Sequence, residues 1–269
     1  MLFKLAESVL FFMRQQLPKY SSKITSRSIQ EKEPTEYTSI VDAKLNSSVF
    51  RFLKTIPSIN GCPIISEEGF DGCWPPVNKN FWLIDPLDGT HNFIAGIPSF
   101  GSMIALIKNK NVIFSAVFIP AMEKMNGVGF YFAIKNKGAW RYRHDKIEKI
   151  RVSRQSDIKK CLVLFEGKGK KMISSDFVKK TTNAAERVRS SLSSGVSGVL
   201  VASGGNNPGG ADALISFLNK PWDNLPGCLL VEEAGGTVTR FDGTHWSVEN
   251  CENLVYSNGL LHKQILALA

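Results

Sequence analysis

The spacing of apolar side chains along the first third of the chain predicts two amphipathic helices. Residues 1–20 carry one apolar stripe at helical spacing, formed by Leu2, Leu5, Val9, Phe12 and Met13. A second such helix is predicted over residues 43–53, with Asp42 as its N-cap. The stretch between them, residues 18–35, is rich in Ser and Lys and predicts a mobile loop or a hairpin.

Short apolar runs in the middle of the chain predict strands. The predicted strands are residues 63–66, 81–84, 102–107, 112–119, 127–132 and 138–142. The polar residues 108–111 between two of these runs predict a hairpin turn. Alternating runs of this kind favour an antiparallel or mixed sheet, and the run at 81–84 is apolar throughout, which is typical of a buried strand.

The pattern changes near residue 152, where a second half of the chain begins. Its predicted elements are a strand at 161–165, helices at 176–188, 195–203 and 221–233, and a closing strand from 255 to 261. The Gly-rich residues 204–210 predict a flexible loop, and Gly235 and Gly236 end the last helix. We therefore expect two halves, residues 1–150 and 151–269, that form one compact structural unit.

Composition narrows the class of protein. A chain of 269 residues that is 43% hydrophobic can bury a substantial core. The net charge of +9 suits nucleic acid, anionic membranes or anionic substrates, but no nucleic-acid-binding motif is present. The first twenty residues are too polar for a signal peptide or a membrane span, and the five cysteines form no CxxC pair. These features predict a cytoplasmic protein without a membrane partner.

The stretch Trp82-Leu83-Ile84-Asp85-Pro86-Leu87-Asp88-Gly89-Thr90 carries the main candidate chemistry. Pro86 disfavours a helical conformation at Asp85, which predicts a sharp turn at the end of the strand, with Asp88 close by. The amides of Gly89 and Thr90 lie where a helix would begin, and a helix start suits a phosphate. Two carboxylates beside such amides predict a divalent cation held against a phosphate.

Two further acidic positions are candidates for the same site. Glu67 and Glu68 follow a predicted strand, and adjacent side chains on a strand point to opposite sides, so only one of them is expected to join a cluster. Asp223 lies at the start of the helix 221–233, where helix capping alone would account for a carboxylate. Carboxylates without Cys or His ligands favour Mg²⁺ over zinc.

The motif around Asp85 resembles the signature of the inositol monophosphatase family, which are Mg²⁺-dependent, lithium-sensitive phosphatases. Trp222-Asp223, Pro226-Gly227 and the residues 229–236 resemble the second signature of that family. The similarity extends from about Asp42 to His262 and is weakest over residues 146–207. It implies an α/β layered sandwich with alternating α-β-α-β-α layers, of the inositol monophosphatase/fructose-bisphosphatase type. It also implies a site between the two halves and a homodimer.

The resemblance implies two or three Mg²⁺ ions and assigns their ligands. Glu67, Asp85 and the backbone carbonyl of Leu87 would hold the first ion. Asp85, Asp88 and Asp223 would hold the second, and Glu67 would anchor a third, weaker ion. Glu67 is for this reason also counted among the catalytic residues.

The resemblance likewise assigns the reacting groups. Thr90, paired with Asp42, would orient the attacking water, so that no covalent phosphoenzyme forms. The amides of Gly89 and Thr90 would bind the phosphate, and Asp88 and Asp223 would contact the substrate. The implied reaction is the hydrolysis of a small phosphate monoester, such as inositol monophosphate or a related sugar or polyol phosphate.

Three residues depart from the family pattern: Glu36 leaves an outer metal position open, Ser216 together with the loop 204–210, which is longer than usual in the family, leaves the substrate open, and Leu192 is a third departure. Glu36 replaces a usual Asp, Leu192 replaces a Gly, and Ser216 replaces a Glu that contacts the inositol ring in inositol-specific members. The alternatives are a 3′(2′),5′-bisphosphate nucleotidase, a histidinol-phosphate phosphatase and a fructose-1,6-bisphosphatase. The sequence His91-Asn92-Phe93 is closer to the inositol branch than the Lys-Glu-Phe of nucleotidases. From another class, the charge of +9 would suit a non-catalytic nucleic-acid-binding or regulatory protein.

Overall fold

The computed structural model describes residues 2–16, 29–33, 36–56, 61–75, 79–167, 169–207 and 210–269. For residues 29–33, 36–40 and 171 it describes the backbone alone. Most of the predicted loop at 18–35, together with Pro208 and Gly209 of the predicted Gly-rich loop, lies outside these residues. No helix in the described part of the chain is both long and apolar enough to cross a membrane.

The N-terminal elements are two helices joined through a hairpin. They are α1 (Leu2–Gln16), β1 (Ile29–Glu33), β2 (Glu36–Ser39) and α2 (Ile40–Lys54). The apolar stripe of α1 is buried, which confirms its prediction. The N-cap prediction for Asp42 is wrong, because α2 begins at Ile40 and Asp42 lies in its first turn. The hairpin β1–β2 directly precedes α2, so the helix starts where the β2 pairing ends.

A seven-stranded sheet follows, and its strands lie side by side in chain order. They are β3 (Ile64–Ser66), β4 (Phe81–Asp88), β5 (Gly101–Lys108), β6 (Asn111–Phe118), β7 (Phe130–Ile134), β8 (Gly138–Arg143) and β9 (Lys146–Lys149), with the short helices α3 (Thr90–Ile94) and α4 (Pro120–Asn126) between them. Only β3 and β4 are parallel, so the predicted mixed sheet is confirmed. The predicted hairpin turn is also confirmed, and Asn109 and Lys110 both have positive φ, as tight hairpins require.

The second half forms a five-stranded sheet with the strand order β11-β10-β12-β14-β13. Its elements are β10 (Leu162–Gly167), α5 (Gly169–Ile173), α6 (Asp176–Ala184), β11 (Arg187–Arg189), α7 (Ser194–Ala202), β12 (Ala213–Phe217), α8 (Pro221–Glu233), β13 (Thr237–Arg240), β14 (Leu254–Ser257) and α9 (His262–Leu266). The helix predicted to reach Val188 ends at Ala184, because residues 187–189 pair with β10 as an edge strand instead.

Three hydrophobic cores define the layers. One core packs α1 and α2 on a face of the seven-stranded sheet, and a second holds α7 and α8 between the two sheets. The third packs α6 and α9 against the outer face of the five-stranded sheet. The order of layers is thus α-β-α-β-α, which confirms the predicted sandwich.

The central strand differs from its prediction at Pro86. Strand β4 does not end in a sharp turn after Ile84 but continues, fully buried, to Asp88. Its register against β5 shifts between Asp85, which lies opposite Met103, and Asp88, which lies opposite Gly101. Three residue steps on β4 therefore match two on β5, which is a β-bulge. A bulge is one of the few places where a paired strand accepts proline.

Candidate active site

The bulge places Asp85 and Asp88 on the same face of the sheet. Side chains alternate along a regular strand, so residues three apart would point to opposite faces. Leu83 packs toward α7 and α8, whereas Ile84 and Leu87 both pack toward α1 and α2. Since Ile84 and Leu87 are themselves three residues apart, the alternation has changed by one step between them. The side chain of Asp88 contacts the start of α7, between the two sheets.

Asp85 lies at the centre of a group of four carboxyl groups. Its side chain is 2% exposed. Burial raises the pKa of Asp85 well above its ordinary value, and the charges of Glu67, Asp88 and Asp223 raise it further, with a hydrogen bond to Glu67. One carboxylate oxygen of Asp85 accepts the amide of Leu87 at 3.0 Å. Three of the four acidic residues expected at the site are thus close enough for their charges to raise the pKa of the fourth, Asp85.

Backbone pairing and a helix start bring the two outer acids to Asp85. The amide of Glu67 donates to the carbonyl of Ile84 at 3.1 Å, which extends the β3–β4 pairing to the residue before Asp85. Of the pair Glu67-Glu68, Glu67 is the one whose charge acts on Asp85, as strand alternation predicted. Asp223 lies in the first turn of α8, and its carboxylate accepts the amide of Lys220 at 2.8 Å. Asp223 therefore caps α8 and joins the acidic group at the same time.

Asp88 is held by the start of helix α7. Its carboxylate accepts hydrogen bonds from the Ser193 hydroxyl, the Ser194 amide at 3.0 Å and the Gly195 amide at 2.8 Å. Burial raises the pKa of Asp88, and these hydrogen bonds oppose that rise because they favour the charged form. Within residues 189–194, the sequence singled out only Leu192, as a departure from the family pattern, and the contacts of residues 193–195 with Asp88 were missed. The available signal was Ser193 before a run of small residues, which is typical of a helix N-cap.

Thr90 joins α2, β4 and α3. Its hydroxyl lies 3.3 Å from a carboxylate oxygen of Asp42 and 3.0 Å from the carbonyl oxygen of Leu87. The predicted Thr90–Asp42 pair is therefore confirmed as a contact. Gly89, with φ of 81°, precedes α3, and a Cβ atom there would lie 2.9 Å from the Ser99 carbonyl oxygen. Both the conformation and the lack of space require glycine at this position.

The three departures from the family pattern have different surroundings. Ser216 is buried, and its hydroxyl is hydrogen-bonded to Asn224 at 2.8 Å and to Asn219 at 2.9 Å. Leu192 is exposed and has φ of 54°, a left-handed conformation that glycine adopts at much lower cost. Glu36 begins β2, and its side chain lies outside the described part of the chain.

The residues present suit a hard divalent cation. The charges of Glu67, Asp88 and Asp223 raise the pKa of Asp85, and a cation that takes up this negative charge would stabilise the charged form of Asp85. An all-oxygen donor set is the one that Mg²⁺ prefers. Among the described residues, however, no three His, Cys, Asp or Glu side chains form a ready metal site. The contacts of Asp88 give a physical reason, since its carboxylate bonds to the start of α7. The carboxyl groups are close together without forming a complete coordination shell.

Known proteins match this chain in sequence and in fold. The sequence model described as the inositol monophosphatase family matches residues 3–269. A fructose-1,6-bisphosphatase/inositol-1-monophosphatase of Thermotoga maritima is 30% identical over 209 residues, which are 76% of this chain and 71% of that protein. A putative Nus factor SuhB of Neisseria meningitidis is 33% identical over 199 residues, or 70% of this chain and 67% of that protein. The solved structure of a Thermotoga maritima IMPase superposes with a TM-score of 0.83 at 23% identity, covering 98% of this chain and 96% of that one.

The match of this family model places the chain among the phosphoric monoester hydrolases. The chain is a member of the inositol monophosphatase family, whose model covers it almost from end to end. Members of this family are phosphatases, and the resemblance noted in the two sequence signatures is confirmed.

Proposed function

We propose that this chain is a Mg²⁺-dependent phosphatase that hydrolyses a small-molecule phosphate monoester by direct attack of water. The observation that carries the proposal is the group of carboxyl groups around Asp85, which lies between the two sheets. Such a group repels an anionic substrate unless cations balance its charge. The inositol monophosphatase family is Mg²⁺-dependent, and bound Mg²⁺ would neutralise the phosphate charge and make a water more acidic.

The proposed metal ligands follow the family assignment. Glu67, Asp85 and the carbonyl of Leu87 would hold one Mg²⁺, and Asp85, Asp88 and Asp223 would hold another. Glu67 would also anchor a third, weaker ion. The Leu87 carbonyl oxygen lies 3.0 Å from the Thr90 hydroxyl, which donates its single proton either to this oxygen or to Asp42.

Thr90 and Asp42 are the proposed activators of the attacking water. When the Thr90 hydroxyl donates its proton to Asp42, the lone pairs of its oxygen remain available to accept a hydrogen bond from water. Asp42 is 2% exposed, so it contacts little solvent that would compete for this proton. The water oxygen then bonds to phosphorus as the bond to the ester oxygen breaks. Overall, one proton of the water ends on inorganic phosphate and the other on the ester oxygen, which leaves as an alcohol.

The substrate phosphate is proposed to bind at the end of β4. The amides of Gly89 and Thr90 face the phosphate in the family assignment, while Asp88 and Asp223 contact the rest of the substrate. Gly89 supports this placement, because its positive φ turns the chain sharply between β4 and α3. The two carboxylates can approach hydroxyl groups of a sugar or polyol as hydrogen-bond acceptors.

Inositol monophosphate and related sugar or polyol phosphates are the proposed substrates. The name of the Thermotoga maritima relative pairs inositol-1-monophosphatase with fructose-1,6-bisphosphatase, so both esters are candidates here. The bisphosphate nucleotidase and histidinol-phosphate phosphatase activities are the alternatives within the family. Ser216, which cannot supply the carboxylate of inositol-specific members, keeps these alternatives open.

A phosphate-release screen tests the proposed function. The panel contains inositol 1-phosphate, fructose 1,6-bisphosphate, adenosine 3′,5′-bisphosphate and histidinol phosphate, each with Mg²⁺, with EDTA, and with Mg²⁺ plus Li⁺. We expect Mg²⁺-dependent release from at least one ester and its inhibition by Li⁺. The Asp85→Asn variant, prepared in the same way, controls for a contaminating phosphatase. Release that persists in EDTA or in this variant would contradict the proposal.

A second candidate is a nucleic-acid-binding or regulatory role. Its support is the net charge of +9 and the similarity to a protein named as a putative Nus factor. Binding through phosphate contacts weakens steeply with salt, so retention on an RNA column across a salt series measures it. Salt-sensitive retention without phosphate release from any ester would favour this role over catalysis.

We further propose that the chain acts as a cytoplasmic homodimer, and that residues 1–150 and 151–269 form one unit that completes the site between them. All five cysteines are unpaired, which suits a reducing compartment. Light scattering after size exclusion measures the mass against 29.8 kDa for one chain. A single mass of one chain at micromolar concentration would contradict the dimer.

A further inference from the structure

We propose that Glu166 is a positioning residue that fixes the segment holding Asp88. The segment, residues 190–195, connects β11 to α7 and supplies all three donors to the Asp88 carboxylate. This inference rests on the proposed function in treating Asp88 as a metal ligand. Glu166 itself does not contact Asp88, and it acts through the serines between them.

One oxygen of Glu166 binds residues on both sides of the donors to Asp88. The Oε1 atom accepts the Ser191 amide at 2.7 Å and lies 2.9 Å from the Ser191 hydroxyl. The same atom accepts the hydroxyl of Ser197, in the first turn of α7, at 2.7 Å. Because Ser191 precedes the Asp88 contacts and Ser197 follows them, Glu166 fixes residues 193–195 from both sides.

The segment needs this support because its own backbone conformation is unfavourable. Leu192 has φ of 54°, a left-handed conformation that is unfavourable for a residue with a Cβ atom. From the opposite side, the Asn92 side chain donates to the carbonyl oxygens of Ser191 at 2.7 Å and Leu192 at 3.2 Å. Asn92 lies on α3, directly after the Gly89-Thr90 pair. Glu166 and Asn92 therefore hold the segment between the two halves of the chain.

The burial of Glu166 indicates that these contacts are its role. Its side chain is 3% exposed, and within the described part of the chain its pKa is shifted by burial, by Ser191 and Ser197 and by the charge of Asp88, but by no cationic side chain. An unpaired carboxylate at such a depth is costly unless hydrogen bonds satisfy it. The three serine contacts satisfy Glu166, and they are the same residues that position the donors of Asp88. Apolar packing of β10 alone would not require an acid here.

Substitutions of Glu166 can distinguish a role in positioning the segment from a role of its negative charge. All three contacts use a single acceptor oxygen, and the amide oxygen of Gln can take its place. Glu166→Gln should therefore keep the segment in position, whereas Glu166→Ala removes the acceptor and leaves a cavity. Ser197→Ala removes one of the three donors and leaves both Ser191 contacts. Glu186→Ala is the matched control, because it also replaces a Glu by Ala but at an exposed position just before β11.

The experiment measures Mg²⁺ affinity by isothermal titration calorimetry together with hydrogen exchange of a peptide that covers residues 190–196. For Glu166→Ala we expect affinity for Mg²⁺ to fall about 10–100-fold, which is typical when a group that orients a metal ligand is lost. We expect Glu166→Gln and Glu186→Ala to stay within about threefold of the unmodified protein, and Ser197→Ala to lie between. Exchange in the peptide should rise in Glu166→Ala and be restored in Glu166→Gln.

The outcomes separate this inference from the proposed function. If the unmodified protein binds no Mg²⁺, the proposed function fails, and the exchange of the peptide still decides whether Glu166 fixes the segment. Unchanged exchange and unchanged affinity in folded Glu166→Ala would overturn the inference alone. Should Glu166→Ala not fold, Ser197→Ala and Glu166→Gln carry the test. In that case the inference would be overturned if Glu166→Gln also failed to fold while Ser197→Ala kept the peptide exchange and the Mg²⁺ affinity of the unmodified protein.

Discussion

The hydroxyl of Thr90 lies 3.3 Å from a carboxylate oxygen of Asp42, although 48 residues separate them in the chain. The pair joins the first turn of α2 to the first residue of α3. The Thr90 hydroxyl also lies 3.0 Å from the Leu87 carbonyl oxygen, so its single proton can be donated to either of two acceptors. A hydroxyl with two acceptors and free lone pairs is suited to orient a water.

The first prediction concerns this hydroxyl. Thr90→Ala should lower kcat about 10²-fold or more, because a positioned proton acceptor contributes about 10²–10⁴-fold to hydrolysis. Thr90→Ser keeps the hydroxyl and should retain most of the activity. Steady-state phosphate release with the best ester of the screen measures both. Equal activity in the Ala and Ser variants would remove Thr90 from the proposed reaction.

The second prediction concerns Asp88→Asn, which should lose both activity and stability. The Asp88 carboxylate accepts three hydrogen bonds, two of them from backbone amides. The NH₂ group of Asn would face one of these donors, and an unsatisfied buried donor costs about 1–3 kcal/mol. A melting curve should shift down by about 2–4 °C for each kcal/mol. Asp88→Asn with the stability of the unmodified protein would show that the amides of α7 do not hold this side chain.

The resemblance to a known family was sufficient for the order of the layers, and the sequence motifs named the four acidic residues, but neither supplied the geometry that unites them. The strand at 81–84 and the helix at 221–233 follow from periodicity and from punctuation by Gly and Pro, which are local signals. The bulge at Pro86 is not local, because it depends on the register against β5. Likewise, residues 187–189 became a strand only through pairing with β10. The link from Glu166 through Ser191 to Asp88 spans elements far apart in sequence, and no local pattern encodes it.

The third prediction concerns the charge of the acidic group. In the presence of EDTA, Asp85→Asn should melt at a higher temperature than the unmodified protein, because burial and the charges of Glu67, Asp88 and Asp223 disfavour a charged carboxyl group at position 85. Each kcal/mol of added stability corresponds to about 2–4 °C. Mg²⁺ at 100 times its Kd should stabilise the unmodified protein by about 2.7 kcal/mol and so raise its melting temperature. The melting temperature of Asp85→Asn should not change with Mg²⁺. A lower melting temperature for Asp85→Asn in EDTA would mean that this carboxyl group stabilises the fold.

The fourth prediction concerns Ser216, where inositol-specific relatives of this pattern have a Glu. Because Ser216 is 1% exposed and bonded to Asn219 and Asn224, Ser216→Glu should place a carboxylate beside the Asn224 side-chain oxygen. We expect a loss of several kcal/mol, since a buried carboxylate without a cation is costly. Ser216→Ala should cost about 1 kcal/mol through its lost hydrogen bonds. A stable Ser216→Glu protein with faster inositol phosphate hydrolysis would show that position 216 reaches the substrate.

The last prediction concerns His262, which is remote from the acidic group and lies at the start of α9. Its ring contacts the Thr239 hydroxyl through Nε2 and the Ser257 hydroxyl through Nδ1, each at 2.8 Å. The Thr239 hydroxyl also donates to the Arg240 carbonyl, so Nε2 carries the proton and Nδ1 accepts from Ser257. These contacts fit a neutral ring, and burial lowers the pKa of His262 below its ordinary value. The unfolded chain therefore binds a proton at a higher pH than the folded protein does.

This difference fixes the sign of the pH effect. The contribution of His262 to stability is complete above about pH 6.5, the ordinary pKa of histidine, and is lost as the pH falls toward the lower pKa of the folded state. Between pH 7.5 and 5, the melting temperature should fall more steeply in the unmodified protein than in His262→Gln, whose amide can take both contacts. His144→Gln, at an exposed position, should keep the slope of the unmodified protein. If the melting temperatures of His262→Gln and the unmodified protein fall in parallel, protonation of His262 does not destabilise the fold. Other titrating groups would then account for the whole pH dependence.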